Sequence, residues 1–354
     1  MLEDLIEFHG AGTVLMWAGA LVGVIFGAAA QHSRFCLRAA TVEVAGGHLG
    51  PRLSIWLIAF SAGVLTVQTA ISGGWLDVSE ARQLASVGSL SGAVIGGLMF
   101  GVGMILARGC ASRLLVLSAT GNLRAIVTGL VLTLVAQASL RGVLSPFREN
   151  LAALWTVQGG SARNLLEITG ISSSFAAILA GTILALALVW GHRTGVQVSR
   201  AMAAALVGAV VGAGWLFTYL IAQNAFDVVA ISSVTFTGPS TDTLMGLVNA
   251  PNLPLGFGIG LVPGVFFGAG AMALLTHEAR IERFGPDTPM ERYLIGAGLM
   301  GFGSMLAGGC AVGAGMSGGA IFSLTAWVAI FAMWAGAMIT HRLMTQGQPQ
   351  SVAA

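Results

Sequence analysis

The sequence predicts an all-α integral membrane protein of about nine transmembrane helices, arranged as an inverted repeat with short re-entrant helices. Composition is the first reason. With 56% hydrophobic residues, 8% charged residues and a mean hydropathy of +0.86, the chain lies far from soluble domains, in which roughly a quarter of residues are charged. The second reason is a pattern that occurs twice, 200 residues apart: Gly96, Gly101, Gly103, Leu106, Ala107, Gly109, Cys110 and Ala111 return as Gly296, Gly301, Gly303, Leu306, Ala307, Gly309, Cys310 and Ala311. A gapless match of this kind is the mark of duplication rather than shared composition. The third reason is that each copy ends at a cysteine, in a chain with only three.

Apolar runs close to the ~20 residues that cross a bilayer recur along the chain. They are Gly12 to Ala30, Leu53 to Ser72, Leu90 to Ala107, Ala125 to Leu140, Ser174 to Gly191, Ala201 to Ala222, Leu255 to Leu275, Tyr293 to Ala307 and Ile321 to Thr340. Acidic Glu3, Asp4 and Glu7 precede the first run, where a cleavable signal would carry positive charge. All 16 basic residues are Arg, and they cluster after alternate spans: Arg34, Arg38 and Arg52 after the first, Arg108, Arg113 and Arg124 after the third, Arg193 and Arg200 after the fifth. Arg280, Arg283 and Arg292 follow the seventh span, Arg342 the ninth, whereas the loop Phe226 to Pro254 has none. The expected topology has the amino terminus outside and the carboxyl terminus in the cytoplasm, as for a bacterial inner-membrane protein. Arg141, Arg148 and Arg163, after the fourth span, fall on the wrong side of this rule. No basic tract suggests nucleic acid, and the net charge of +2 selects no partner beyond the bilayer.

Under this topology the Cys110 run travels inward and the Cys310 run outward, so the repeat is inverted. Gly19, Gly23 and Gly27 are echoed by Gly208 and Gly212, which pairs spans one to four with six to nine. The expected organisation is one transport domain with halves at about 12–141 and 201–341 and a linker span at about 174–191. Inverted repeats with discontinuous helices at their interface are a common transporter construction. Leu37 to Val44, Ala111 to Ala119 and Ala311 to Ala320 are too short to span. Each is a re-entrant half-helix, an unwound stretch or an interfacial loop, and the duplication favours the re-entrant reading. Glycines at four-residue intervals (Gly19, Gly23, Gly27; Gly256, Gly260, Gly264, Gly268) bring backbones close.

The cysteines have charged or glycine-rich settings: Arg34 and Arg38 flank Cys36, Arg108 and Arg113 flank Cys110, and Gly109 and Gly309 precede Cys110 and Cys310. A helix beginning there favours an anion. There is no Cys-x-x-Cys, no His four residues after a cysteine and no acidic residue near any of the three to support a metal site, and no cofactor or catalytic group is expected. A membrane thiol–disulfide oxidoreductase lacks its vicinal pair but stays open as an alternative, because sequence-distant thiols can meet. Three neutral, weakly donating, soft sulfurs along a pore suit a sulfur-containing solute better than a hard oxyanion, and weak sites in series permit release. Cys36 has no cysteine at its approximate repeat position, near Ile221. The acidic residues lie mostly in loops, which disfavours a carboxylate proton relay. His192, His277 and His341 read as boundary residues, and Trp56, Trp190, Trp327 and Trp334 as packing or interface anchors.

At Cys36, at Gly101 to Cys110 and at Gly301 to Cys310, the sequence resembles the YeeE/YedE family of sulfur transport proteins, over most of the chain. The resemblance implies a nine-span, hourglass-like inverted repeat with short membrane-inserted helices in which Cys36, Cys110 and Cys310 relay thiosulfate; the residues' own settings add Gly109, Gly309, Arg34, Arg108 and Arg113 as candidate binding residues. Relatives handling other sulfur or selenium species keep the substrate open. The resemblance also implies a small cytosolic TusA-like sulfur carrier. With fourteen residues after the last span, that carrier is expected to be a separate protein.

Overall fold

The computed structural model describes residues 2–249, 253–284 and 289–346. Nine helical stretches among them are long and apolar enough to cross a membrane. The spanning helices are α1 (Ala11–Ser33), α3 (Pro51–Ser72), α4 (Leu90–Leu106), α6 (Leu123–Arg141), α7 (Ser173–Arg193), α8 (Val198–Asn224), α10 (Phe257–Leu275), α11 (Met290–Leu306) and α13 (Leu324–Gln346). Among the short helices between them, four matter for the site: α2 (Leu37–Ala45), α5 (Ala111–Ala119), α9 (Thr237–Asn249) and α12 (Ala311–Gly318). Among the described residues, β structure is confined to a two-residue ladder, Gly88–Ser89 with Thr156–Val157, and two isolated bridges.

Glycine dictates the packing. A Cβ on Gly96 would come within 2.5 Å of the Gly303 carbonyl oxygen, and one on Gly303 within 2.7 Å of the Gly96 carbonyl oxygen. Gly103 and Gly296 meet in the same reciprocal way, at 2.5 and 2.7 Å. Position i of one helix thus faces j+200 while j faces i+200, the signature of two copies related by an approximate two-fold axis. The contact order runs forward along α4 as it runs backward along α11, so the two helices are antiparallel. Other pairs repeat the relation. Gly101 of α4 packs on Met333 and Ala337 of α13, and Gly301 of α11 packs on Leu132 and Ala136 of α6. Gly19, Gly23 and Gly27 of α1 pack on successive turns of α10, and Gly208 and Gly212 of α8 on successive turns of α3.

The two ends of the bundle are marked by loop contacts. At one end the segment after α5 joins the segment after α10, with the Arg280 amide donating to the Thr120 carbonyl and the Leu123 amide to the Glu282 carbonyl. These are two of the Arg-rich loops. At the other end the Leu165 amide donates to the Phe322 carbonyl, which joins the loop after α6 to the loop after α12.

Two sequence expectations need correction. The stretch Phe226 to Pro254 is not simply a loop, because α9 lies in it and buries Val234, Phe236, Thr237 and Thr241 among the neighbouring helices. The counterpart of Cys36 is therefore not near Ile221, which is buried in the last turn of α8, ahead of the segment that leads into α9. α2 starts at Leu37 and α9 at Thr237, so Cys36 corresponds to Phe236.

The short helix α12 is π-helical. Its sequence, AVGAGMSG, offers few Cβ atoms to hold a tight α turn. The wider turn frees carbonyls that would be costly in a membrane, and side chains take them up. Gln83 Nε2 donates to the Gly313 carbonyl at 3.2 Å, and Trp215 Nε1 to that of Ser317 at 3.2 Å. Just past the helix, Gln68 Nε2 donates to the Ala320 carbonyl at 2.7 Å. Ser317 Oγ in turn donates to the Val234 carbonyl at 2.6 Å, tying α12 to the segment that leads into α9.

Candidate functional site

Each cysteine heads a short helix, and the chain reaches all three by the same turn. α1, α4 and α11 end in a left-handed residue two positions before the cysteine: Arg34 at φ 55°, Arg108 at φ 55° and Gly308 at φ 80°. The following amides, of Phe35, Gly109 and Gly309, donate back to the carbonyls of Ala30, Met104 and Ser304 and close the helix ends. Cys36, Cys110 and Cys310 are then extended, and α2, α5 and α12 begin at the next residue. A left-handed conformation costs a non-glycine residue about 1–2 kcal/mol. Arginine twice holding it indicates that the turn is fixed by its surroundings.

The thiols are free and sheltered, with Cys110 and Cys310 each 1% exposed and Cys36 half-buried. Cys36 and Cys110 are neighbours. Cys110 Sγ also lies 3.3 Å from Ser112 Oγ. The Gly313 amide donates to Cys310 Sγ at 3.5 Å, so this thiol caps α12. Cys36 and Cys110 make no such cap bond. All three sulfurs nevertheless stand at the positive end of a short helix, a place that favours electron-rich groups. Gly309 is confined because a Cβ there would press on the Ala314 amide at 2.8 Å. Gly109 sits against Leu114.

The sequence-selected arginines divide. Arg113 donates to Gln31 Oε1 at 3.3 Å, and Gln31 Nε2 donates to Glu278 at 2.7 Å. Arg34 pairs with the same carboxylate at 2.7 Å. Arg34, Arg113, Gln31 and Glu278 thus form one network beside the Cys36–Cys110 pair. Arg108 is exposed and outside it. Cys310 lies in the other half of the molecule, where α12 meets Thr235. Sequence reading missed Gln31 and Glu278, which are 247 residues apart, and carried no signal for either.

The network gives a pH expectation. The Arg34 guanidinium, hydrogen-bonded to Glu278, holds its carboxyl below the usual carboxylate range against the opposing effect of burial, with smaller help from Gln31 and Arg113. A carboxyl lowered in the folded state stabilises fully above its unfolded value of about 4.3 and loses that contribution as pH falls through the folded value. The Arg34 and Glu278 side chains are 41% and 35% exposed, so solvent screening keeps the effect small. Acidification should lower the Tm of the parent slightly more than that of Glu278→Gln. Parallel Tm curves would remove the pair from the pH response.

A second group of arginines lies at the opposite end. A cavity of about 220 Å³ is lined by Arg82, Arg148, Arg163, Gln83, Thr325 and Gly308, with no carboxylate on its wall. Arg163 is 5% exposed and its Nε has no partner. Its remaining nitrogens donate to the Ser86 carbonyl and Thr325 Oγ1, both at 2.6 Å. Burial, followed by the charge of Arg82, presses against its protonated form. An anion in the cavity would relieve both. Arg148 and Arg163 are two of the arginines that break the positive-inside pattern, which was the available sequence signal.

Comparison with known proteins agrees with this construction. The family described as sulphur transport matches residues 32–339. A thiosulfate transporter, TsuA, from Spirochaeta thermophila is 26% identical over 353 residues, covering 93% of this chain and 100% of the relative. A thiosulfate transporter of the same name from Escherichia coli is 25% identical over 342 residues, covering 91% of this chain and 92% of the relative. With the family match running through all three cysteine-headed helices, this multi-pass membrane protein belongs to the sulphur transport family.

Proposed function

We propose that this chain, like the two relatives named thiosulfate transporters, carries thiosulfate, and that it does so across the bacterial inner membrane along a path on which Cys36, Cys110 and Cys310 contact the ion in turn. The observation that carries the reading is the thrice-repeated turn that sets a free thiol at the head of a short helix inside the membrane. Each such position offers a soft S–H donor, a positive helix end and amides, without a fixed counter-charge on the sulfur. That combination suits a soft, sulfur-bearing anion that must be held weakly and passed on. The halves at about 12–141 and 201–341, joined by 174–191, would place Cys310 toward the outside and the Cys36–Cys110 pair toward the cytoplasm. In the present conformation the buried thiols are occluded, so passage requires local opening. A separate TusA-like carrier at the cytoplasmic end would receive the sulfur species.

Radiolabelled thiosulfate uptake into proteoliposomes tests the reading, with sulfate, sulfite and selenium oxyanions as competitors. Chemically unchanged thiosulfate inside the vesicles is the expected result. A preference for another sulfur or selenium anion would move the substrate within the same function. The second reading, membrane thiol–disulfide exchange, is favoured by one observation, the adjacency of Cys36 and Cys110. It requires a disulfide formed in step with turnover.

The outer arginine cavity supports entry of an anion. Arg163→Gln should raise the half-saturating thiosulfate concentration by about tenfold or more, because a desolvated charge contact is worth about 2 kcal/mol or above. Arg163→Lys should recover part of the loss. Unchanged half-saturation in both variants would take Arg163 out of the path.

Orientation is tested by labelling with an impermeant maleimide, with the native thiols blocked. The sequence suggests Ser240 and Asp287 as reporters, but Ser240 lies in α9 and Asp287 falls outside the described residues. Val228, 104% exposed, and Ile281, 73% exposed, serve instead. Val228→Cys should label in intact cells and Ile281→Cys only after lysis. The opposite result would invert the molecule in the membrane.

A further inference from the structure

The two halves differ where the wall of the bundle opens toward lipid. On one side, the space between α3 and α13 is closed by aromatic rings. Trp56 meets Trp334 at 5.3 Å between centroids, and Phe60 meets Trp327 at 5.5 Å, so each pair bridges the two helices. On the other side, the corresponding space between α10 and α6 has no such pair of bridging rings. It holds an apolar cavity of about 380 Å³ bounded by α5, α6, α9 and α10. Leu130 and Phe266, 46% and 41% exposed, stand at its mouth, and Ala111, the residue after Cys110, is part of its lining.

We propose that this cavity is a lateral binding site for one acyl chain of a bilayer phospholipid, entering between α6 and α10. The walls are mostly apolar. The hydroxyls of Ser118, Thr133 and Thr243 donate back to carbonyls of their own helices at 2.7, 2.8 and 2.7 Å. Thr237, buried, and Ser240, half-buried, carry the remaining hydroxyls of a wall otherwise made of Leu, Ile, Val, Phe, Ala and Gly. A void of this size between close-packed helices forfeits dispersion contacts along its whole wall. The solvent at its mouth is hydrocarbon. An alkyl chain restores those contacts and does on this side what the indole and phenyl rings do on the other.

The test uses proteoliposomes containing a phospholipid with a photoactivatable diazirine near the methyl end of one acyl chain, followed by peptide mapping after illumination. Adducts are expected inside the cavity, on Leu115 and Leu244, as well as on outward-facing positions such as Ile178 of α7. Gly129 lines the cavity and a Cβ there meets nothing within 4 Å, so Gly129→Phe should fill the space without displacing backbone. It should cut the interior adducts severalfold and leave those on Ile178 unchanged, which also reports that the variant is folded. Gly129→Leu serves if the phenyl variant does not fold. Adducts confined to Leu130, Phe266 and other outward residues in the parent would overturn the proposal. So would interior adducts that the filling substitution does not reduce.

Discussion

Proteoliposomes carrying Cys110→Ala or Cys310→Ala are expected to take up thiosulfate at a small fraction of the parental rate, with folded protein recovered in near-parental amount. The two thiols are 1% exposed, and each is the only sulfur at the head of its helix. Removing one sulfur atom from a tightly packed site costs on the order of 1 kcal/mol of stability, too little to unfold the bundle. Cys310 has the heavier structural role because its sulfur accepts the Gly313 amide, and loss of a helix cap costs about 0.5–2 kcal/mol. Serine separates the roles. Cys310→Ser keeps an acceptor for that amide and should restore stability without restoring uptake, because a hydroxyl is hard and strongly hydrated where the path calls for a soft, weak donor. Cys36→Ala should have an intermediate effect, since Cys36 is half-buried and Phe236 stands at its counterpart position. Equal uptake by all three alanine variants, at equal amounts of protein, would reject the relay. Parental uptake by the serine variants would leave polarity, and not sulfur, as the requirement.

What the sequence made legible follows from how each feature is encoded. Spans and glycine faces are local and periodic, so Gly96 and Gly103 could be paired with Gly296 and Gly303 by inspection. Their reciprocal contact is the same regularity expressed in space. The half-helices after Cys36, Cys110 and Cys310 could be marked because apolar or small-residue runs stop too early to span. The fourth, α9, stayed hidden because TGPSTDTLMGLVN carries Gly, Pro, Ser, Thr and Asp in its first turns and reads as a loop. Only burial against α10 and α6 makes it a helix. The π turn of α12 was equally illegible, because it depends on Gln68, Gln83 and Trp215 reaching across from other segments. The adjacency of Cys36 with Cys110, and the meeting of Gln31 with Glu278, are long-range facts that no spacing encodes. Arg163 was visible only as a violation of charge asymmetry. Its burial and its unpartnered Nε beside the cavity are facts of the fold that no spacing encodes.

Gly260→Leu is expected to abolish recovery of folded protein, whereas Gly256→Leu, one step earlier in the same four-residue series, should be tolerated. Both glycines belong to a face that sequence periodicity treats as uniform. In the structure they differ completely: a Cβ on Gly256 meets nothing within 4 Å, while one on Gly260 would fall inside the van der Waals shell of the Met16 carbonyl and within 2.8 Å of the Ala20 amide. The obstacle is backbone on the facing helix, so no side-chain rotation can relieve it. α1 and α10 would have to separate, and separation breaks more than one contact. Gly264 meets Gly23 and Ala20, Gly19 meets Phe257 and Leu261, and Gly268 meets Val24, so one inserted side chain opens a seam running most of the length of both helices. Overpacking a soluble core costs about 1–3 kcal/mol, occasionally more, because neighbouring side chains give way. Here none is available to give way, and helix association in lipid depends on this close packing rather than on expulsion of water. α1 also leads directly into the turn at Arg34 that presents Cys36, so the seam fixes where that thiol stands. Size-exclusion profiles of the two variants in mild detergent decide the matter: monodisperse Gly260→Leu protein at parental yield would show that α1 and α10 are not held by the glycine seam.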